Sequence, residues 1–223
     1  KYLSADPSNA EDGQVWYNST TGNLRVQGVG VSAWSSGSNL VGAVRSTVGS
    51  SGTQTASLSV GGESPGYINL VEEYNGSGWT TATNYPLSIQ GPLVAGTQTA
   101  AVVCGGNTYP PSTDRTETFE YDGSSWTVGG SLSIGRKYLS GCGESNSGAL
   151  AISGNNPGIL NTEQYNGTAW TSTASLNTGL KQGAGAGTTT AALAFGGTNP
   201  PDAGLLTQEF NDATPATFTV GTD

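Results

Sequence analysis

Short runs in which small and apolar residues alternate recur along the chain and close on glycine: GTQTASLSVGG at 52–62, GTQTAAVVCGG at 96–106, ESNSGALAISG at 144–154 and GTTTAALAFGG at 187–197. Alternation with a period of two marks a half-buried strand, because successive side chains of an extended chain point to opposite faces. Downstream of three runs a Tyr precedes a Trp by five positions, in YNGSGW (Tyr74, Trp79), YDGSSW (Tyr121, Trp126) and YNGTAW (Tyr165, Trp170). The last copy carries Phe210 and Phe218 instead. The Asn-Gly or Asp-Gly between the aromatics predicts a tight hairpin turn of type I′. A Gly- and Ser-rich stretch before each run predicts one more short strand. The first complete unit is thus four strands, at 44–51, 55–60, 68–74 and 79–83.

Trp34, Trp79, Trp126 and Trp170 are separated by 45, 47 and 44 residues, and Phe218 lies 48 further on. A four-stranded unit of this length that repeats is the size of a propeller blade, and small residues suit the crowded strands around a central channel. The expected fold is all-β: a propeller of about five blades, the first incomplete. Residues 36–223 divide into repeats at about 36–83, 84–130, 131–174 and 175–223. Residues 1–35 differ in kind. DGQVWYNSTTGNLRVQG at 12–28 predicts a hairpin that forms part of a blade or an attachment segment. Fewer blades, or a segment of a longer array, remain open.

The repeated positions are Trp34, Gly61, Gly62, Tyr74, Trp79, Gly105, Gly106, Tyr121, Trp126, Gly154, Tyr165, Trp170, Gly196, Gly197, Phe210 and Phe218, with Arg45 and Arg136 opening two units. This pattern resembles the kelch repeat. The copies are also similar to kelch-type arrays in virion structural proteins, tail fibres or decoration proteins, of marine tailed bacteriophages. The third copy departs from the pattern with Ser153-Gly154, and two copies lack the opening Arg. The resemblance implies a virion structural or adhesion module, on the virion surface or extracellular, that meets a host receptor, a glycan or another virion protein.

Composition narrows the chemistry. Charged residues are only 10% of the chain, so 35 glycines and many Ser, Thr and Asn cover the surface. A net charge of −9 repels a phosphate backbone, which excludes nucleic acid as the expected partner. No run approaches the length of an apolar membrane span. The absence of His removes the commonest general base and most catalytic zinc sets, so no enzyme, no metal and no cofactor are expected. Glu72, Glu73, Glu117, Glu120, Glu163 and Glu209 recur beside the Tyr or Phe of each unit, on the third strand, and the repeat itself explains them. Cys104 and Cys142 read as buried thiols.

Length varies in one connection only. From the second glycine to the Tyr or Phe the interval drifts between 11 and 15 residues. Variable loops on a rigid scaffold are where recognition concentrates. The candidate partner-binding residues are therefore Glu63, Tyr67, Asn107, Tyr109, Asp114, Arg115, Asn155, Asn156, Asn199 and Asp202. Tyr109 and Arg115 stand out, as side chains common at binding hot spots on a proline-stiffened loop. A secreted glycan-binding or glycan-active protein is the alternative reading.

Overall fold

The computed structural model describes residues 2–28, 34–42, 45–46, 48–155, 159–198 and 205–212. Its described residues contain twenty strands and no α-helix, as the Gly, Thr and Val usage anticipates. The chain separates into two compact units, Lys1–Gly37 and Ser38–Asp223.

The first unit is a three-stranded sheet of β1 (Tyr2–Leu3), β2 (Val15–Asn18) and β3 (Asn23–Val26), with β1 parallel and β3 antiparallel to β2. The expected hairpin is there. Its centre is Asp6, which accepts from the Trp16 indole N–H and the Asn18 side-chain amide, both at 2.9 Å. Trp34 belongs to none of the strands and is fully exposed.

Among its described residues the second unit holds four antiparallel sheets of three or four strands, in chain order. Sheet 1 is β4 (Gly49–Thr53), β5 (Ala56–Val60), β6 (Val71–Tyr74) and β7 (Trp79–Thr81). Sheet 2 is β8 (Leu93–Thr97), β9 (Ala100–Cys104), β12 (Thr118–Tyr121) and β13 (Trp126–Val128). A short ribbon of β10 (Asn107–Thr108) and β11 (Thr113–Asp114) interrupts it. Sheet 3 is β14 (Ser140–Ser145), β15 (Gly148–Ile152), β16 (Thr162–Tyr165) and β17 (Trp170–Ser172). Sheet 4 is β18 (Ala184–Gly187), β19 (Ala191–Phe195) and β20 (Thr207–Asn211); Phe218, expected on its fourth strand, lies outside the described residues. The opening strand of sheet 1 starts at Gly49 rather than at 44, because Arg45 turns inward instead of joining the ladder.

The first strands of consecutive sheets, β4, β8, β14 and β18, lie alongside one another, and the sheets pack face to face. Leu58, Val60 and Val71 of sheet 1 are covered by Val94, Ala101, Val103 and Tyr121 of sheet 2. Val102 and Cys104 of sheet 2 meet Ala149 and Ala151 of sheet 3. Leu150 and Ile152 of sheet 3 meet Ala192 and Ala194 of sheet 4. At the second and third interfaces one side carries the bulk and the other is alanine, as close packing allows; at the first, both sides contribute large side chains. The doubled glycine ends each middle strand in left-handed backbone, with φ of 63° and 108° at Gly61 and Gly62 and 69° and 93° at Gly196 and Gly197. Ser153 adopts φ 54° where glycine stands elsewhere; its buried hydroxyl donates to the Ile159 carbonyl and accepts from the Leu180 amide.

The aromatic hairpins differ from the type I′ expectation. Tyr74 pairs directly with Trp79, which leaves a four-residue loop. Positive φ occurs at Gly76, Gly123 and Gly167 but not at the preceding Asn or Asp. The Asn75 side-chain oxygen instead accepts from the Ser77 and Gly78 amides, and Asp122 and Asn166 repeat the arrangement. An Asx turn satisfies the loop amides without a second left-handed residue.

Two buried networks tie the strands. Arg45 and Arg136, with fully buried side chains, pair with Glu72 and Glu163. Each Glu also accepts backbone amides from the segment entering its sheet, Val41 and Gly42 in one case and Ser133 in the other. By position in the repeat, sheet 2 has Ile89 and Phe119 there, packed in the core, and the amide-bearing residue becomes Pro86, which has no N–H. Sheet 4 has Leu180 and Gln208, and Gln208 accepts from the Asn177 and Thr178 amides. The second network crosses between sheets. The Tyr121 phenol donates to Glu73 at 2.8 Å, and the Tyr165 phenol donates to Glu120 at 2.6 Å.

Candidate functional site

Each doubled glycine delivers the chain into a variable loop whose first residue is pinned by backbone hydrogen bonds. The Glu63 amide donates to the Ser46 carbonyl, Asn107 to Gln90, Asn155 to Lys137 and Thr198 to Lys181, over 2.7 to 3.0 Å. One residue after each acceptor the backbone is left-handed in three repeats, with φ of 58° at Gly91, 53° at Tyr138 and 58° at Gln182. The Tyr138 amide donates to the Gly91 carbonyl and the Gln182 amide to the Tyr138 carbonyl, so these turns run from sheet to sheet. Such a φ is unusual for a bulky aromatic. Room comes from Gly91, where a Cβ would lie 2.4 Å from the Tyr138 ring.

Five predicted loop residues come together here. The Tyr67 and Tyr109 rings lie 6.0 Å apart at a tilt of 58°. Glu63 accepts from the Gln90 side chain at 2.7 Å, which fixes its carboxylate. The buried Asn107 amide donates to Asp114 at 2.7 Å and its oxygen accepts from Ser112, which braces the ribbon of β10 and β11. At its tip the Tyr109–Pro110 and Pro110–Pro111 bonds are cis, and Tyr109 is 63% exposed. Burial, and after it the neighbouring Glu63, Tyr109 and Asp114, raises the Tyr67 phenol above its usual range. Burial, then Tyr67, Glu63 and Asp114, does the same to Tyr138. The cluster presents phenol rings, the carboxyl groups of Glu63 and Asp114 and hydrogen-bonded amides, which offer stacking faces and hydrogen-bond acceptors. Lys137 stands at its edge, 5.5 Å from the Tyr138 ring centre.

The remaining candidates are placed differently. Arg115 is held by Glu117 through its Nε and terminal nitrogen, so the guanidinium is engaged within the loop. Asn155 sits beside Lys137, with its side-chain oxygen buried and without a hydrogen-bond partner among the described residues. Asn156, Asn199 and Asp202 lie outside the described residues. Gln90 and Tyr138 were missed by sequence reasoning, because both precede first strands in the interval of nearly fixed length. A Tyr at a position that is Gly in the preceding repeat was the available signal.

Four of the six recurring carboxylates are spent on bonds within and between the sheets. Glu72 and Glu163 are buried in arginine pairs, and Glu73 and Glu120 accept from tyrosines. Glu117 precedes its strand rather than lying on it. Among the described residues no three His, Cys, Asp or Glu side chains gather as a metal site. Cys104 and Cys142 are free and buried. Among the described residues no helix is long and apolar enough to cross a membrane. In comparisons with known proteins, no family model matches the chain and no curated protein is significantly similar to it.

Proposed function

We propose that the chain is a non-enzymatic recognition module, a kelch-like propeller array that binds a partner through the loop face carrying Tyr67, Tyr109 and Tyr138. The observation that carries the reading is this cluster. Loops and turns of three successive repeats converge on one acidic, aromatic patch, while Glu72, Glu73, Glu120 and Glu163 are committed to structural bonds. A propeller is supported by consecutive four-stranded sheets packed face to face with their first strands side by side. The repeat pattern supports a virion structural or adhesion role, displayed on a particle surface or outside cells, with a host receptor or a neighbouring virion protein as partner. Partner charge follows from Glu63 and Asp114, which favour a neutral or basic surface over nucleic acid.

Saccharide is the second reading, favoured by the adjacent tilted rings of Tyr67 and Tyr109 beside the fixed acceptors Glu63 and Asp114. Binding of the isolated chain to host cells and to a glycan array tests both, with Tyr67→Ala and Tyr109→Ala combined. Loss of binding by a folded double variant is the expected result. Full binding by that variant would eliminate this face. Mass spectrometry of purified particles tests the virion assignment, which fails if the chain is absent from them.

A further inference from the structure

Among the described residues no sheet covers the outer face of sheet 4. In the three sheets before it, the residues that match Leu193 and Phe195 in the ladder are Leu58 and Val60, Val102 and Cys104, and Leu150 and Ile152, all at most 2% exposed. Each pair is buried by the following sheet. Leu193 and Phe195 are each 38% exposed, and β19 alternates between exposed and buried positions where β9 and β15 are buried from their second residue onward.

The polar groups of this face are unmatched in the same way. Glu209 pairs with Leu193 across the ladder, as Glu73 pairs with Leu58 and Glu120 with Val102. Those two glutamates each accept a tyrosine phenol from the next sheet. At the third interface both partners change together: Phe210 replaces the donor, and Gln164, now facing a ring without a hydroxyl, donates to the Thr189 carbonyl. One acceptor of the series, the Glu209 carboxylate, and one donor, the Tyr74 phenol of sheet 1, are left with no hydrogen-bond partner among the described residues. Tyr74 pairs with Ser57 just as Tyr121 pairs with Ala101 and Tyr165 with Ala149, so it stands on the side of sheet 1 that corresponds to a covering face. Ser57 is small and only partly buried, at the position of Ala101, Ala149 and Ala192 on the other covering faces, while Ser59 is already buried against Arg45.

We propose that the bare face of sheet 4 seats a second copy of this chain, which covers it with its first sheet, so that Tyr74 of one copy donates to Glu209 of the other. Contact of unlike faces is heterologous and generates either a ring or a filament. Two copies joined twice in this way form a ring of about eight sheets, within the range that propellers occupy. The pairing is specific because bulk, small residues, donor and acceptor all fall in the register of the interfaces inside the chain.

Light scattering on the intact chain over a wide concentration range tests this. The expected result is a dimer that Leu193→Asp converts to monomer, with the same circular dichroism and melting behaviour as the parent monomer at high dilution. Tyr74→Phe and Glu209→Gln each weaken dimerisation about a hundredfold, roughly tenfold for each of the two bonds in the ring, and together no further than either alone, since each removes the same charge-assisted bonds. A chain that stays monomeric at the highest concentration overturns the proposal. A dimer indifferent to Leu193→Asp, Tyr74→Phe and Glu209→Gln overturns it equally.

Discussion

Replacing Arg136 by Leu tests the buried ion pair most directly. The guanidinium is wholly buried and donates to the Ser153 and Asn161 carbonyls at 3.1 and 2.9 Å, to Ala151 at 3.4 Å and to Glu163 at 2.7 Å. Its removal leaves a carboxylate that is 1% exposed facing apolar neighbours, with the Ser133 amide as its remaining donor. Breaking a buried pair from one side costs about 3–5 kcal/mol. In a unit of this size that lowers the melting temperature on the order of 10 °C. Sheet 4 already contains the apolar alternative, Leu180 with Gln208, and Gln208 still caps its entering amides. The double variant Arg136→Leu, Glu163→Gln copies that solution, so it should recover most of the loss. Urea titrations of the two single variants and the double variant yield the coupling energy, expected at about 2–3 kcal/mol. Equal stability of Arg136→Leu and the double variant would refute the reasoning, because the cost would then lie in lost packing and not in the stranded charge.

Trp126→Ala should cost about 3 kcal/mol in the same titration, since the indole stacks on Tyr121 at 4.6 Å, meets Tyr85 edge-on at 5.0 Å and donates to the Thr83 carbonyl at 2.9 Å. Ser125→Ala, in the exposed loop beside it, should change stability by less than about 0.5 kcal/mol. Burial pushes the Cys104 thiol up to about 12 and Cys142 up to about 11, so neither should react with an aromatic disulfide reagent at pH 8 until the chain unfolds. Hydrogen bonds from Ser125 and Ser124 hold the Asp122 carboxyl well below its usual range, so its contribution to the hairpin is present above the unfolded value near 4 and fades as pH falls. Asp122→Asn, which copies Asn75 and Asn166, should leave the pH 7 fold intact and remove that acid sensitivity, as read by amide exchange in the hairpin.

The strands were legible because their cause is local. Alternation, doubled glycines and aromatics at a fixed interval each act within a few residues, so β5, β9, β15 and β19 fall where the pattern puts them. The Arg136–Glu163 pair joins residues 27 apart, and the Tyr121–Glu73 bond joins residues 48 apart, one repeat length. Such partners show themselves in a sequence only when both change together, as Ile89 with Phe119 and Phe210 with Gln164 do. The turn type was misjudged because Asn-Gly alone does not reveal that a side-chain oxygen will serve the loop amides. Of the loop residues, Tyr67, Tyr109, Glu63, Asn107 and Asp114 could be found from length variation. Tyr138 could not, since it projects from an interval that does not vary.

The exchange of Tyr for Phe210 and of Glu for Gln164 leaves the contact between sheets 3 and 4 without the phenol bond found at the two earlier contacts. Sheet 4 also lacks the arginine clamp of sheets 1 and 3, with Leu180 in its place. In a linear array whose stability is a sum of units and nearest-neighbour terms, uneven contacts set the order of disassembly. Fraying should therefore start at the C-terminal sheet, and a pulling force or a protease should take Thr207–Asn211 before it reaches Thr118–Tyr121. A protein tethered at one end and loaded at the other would yield there first, peeling one sheet while the aromatic loop cluster on sheets 1 to 3 stays assembled.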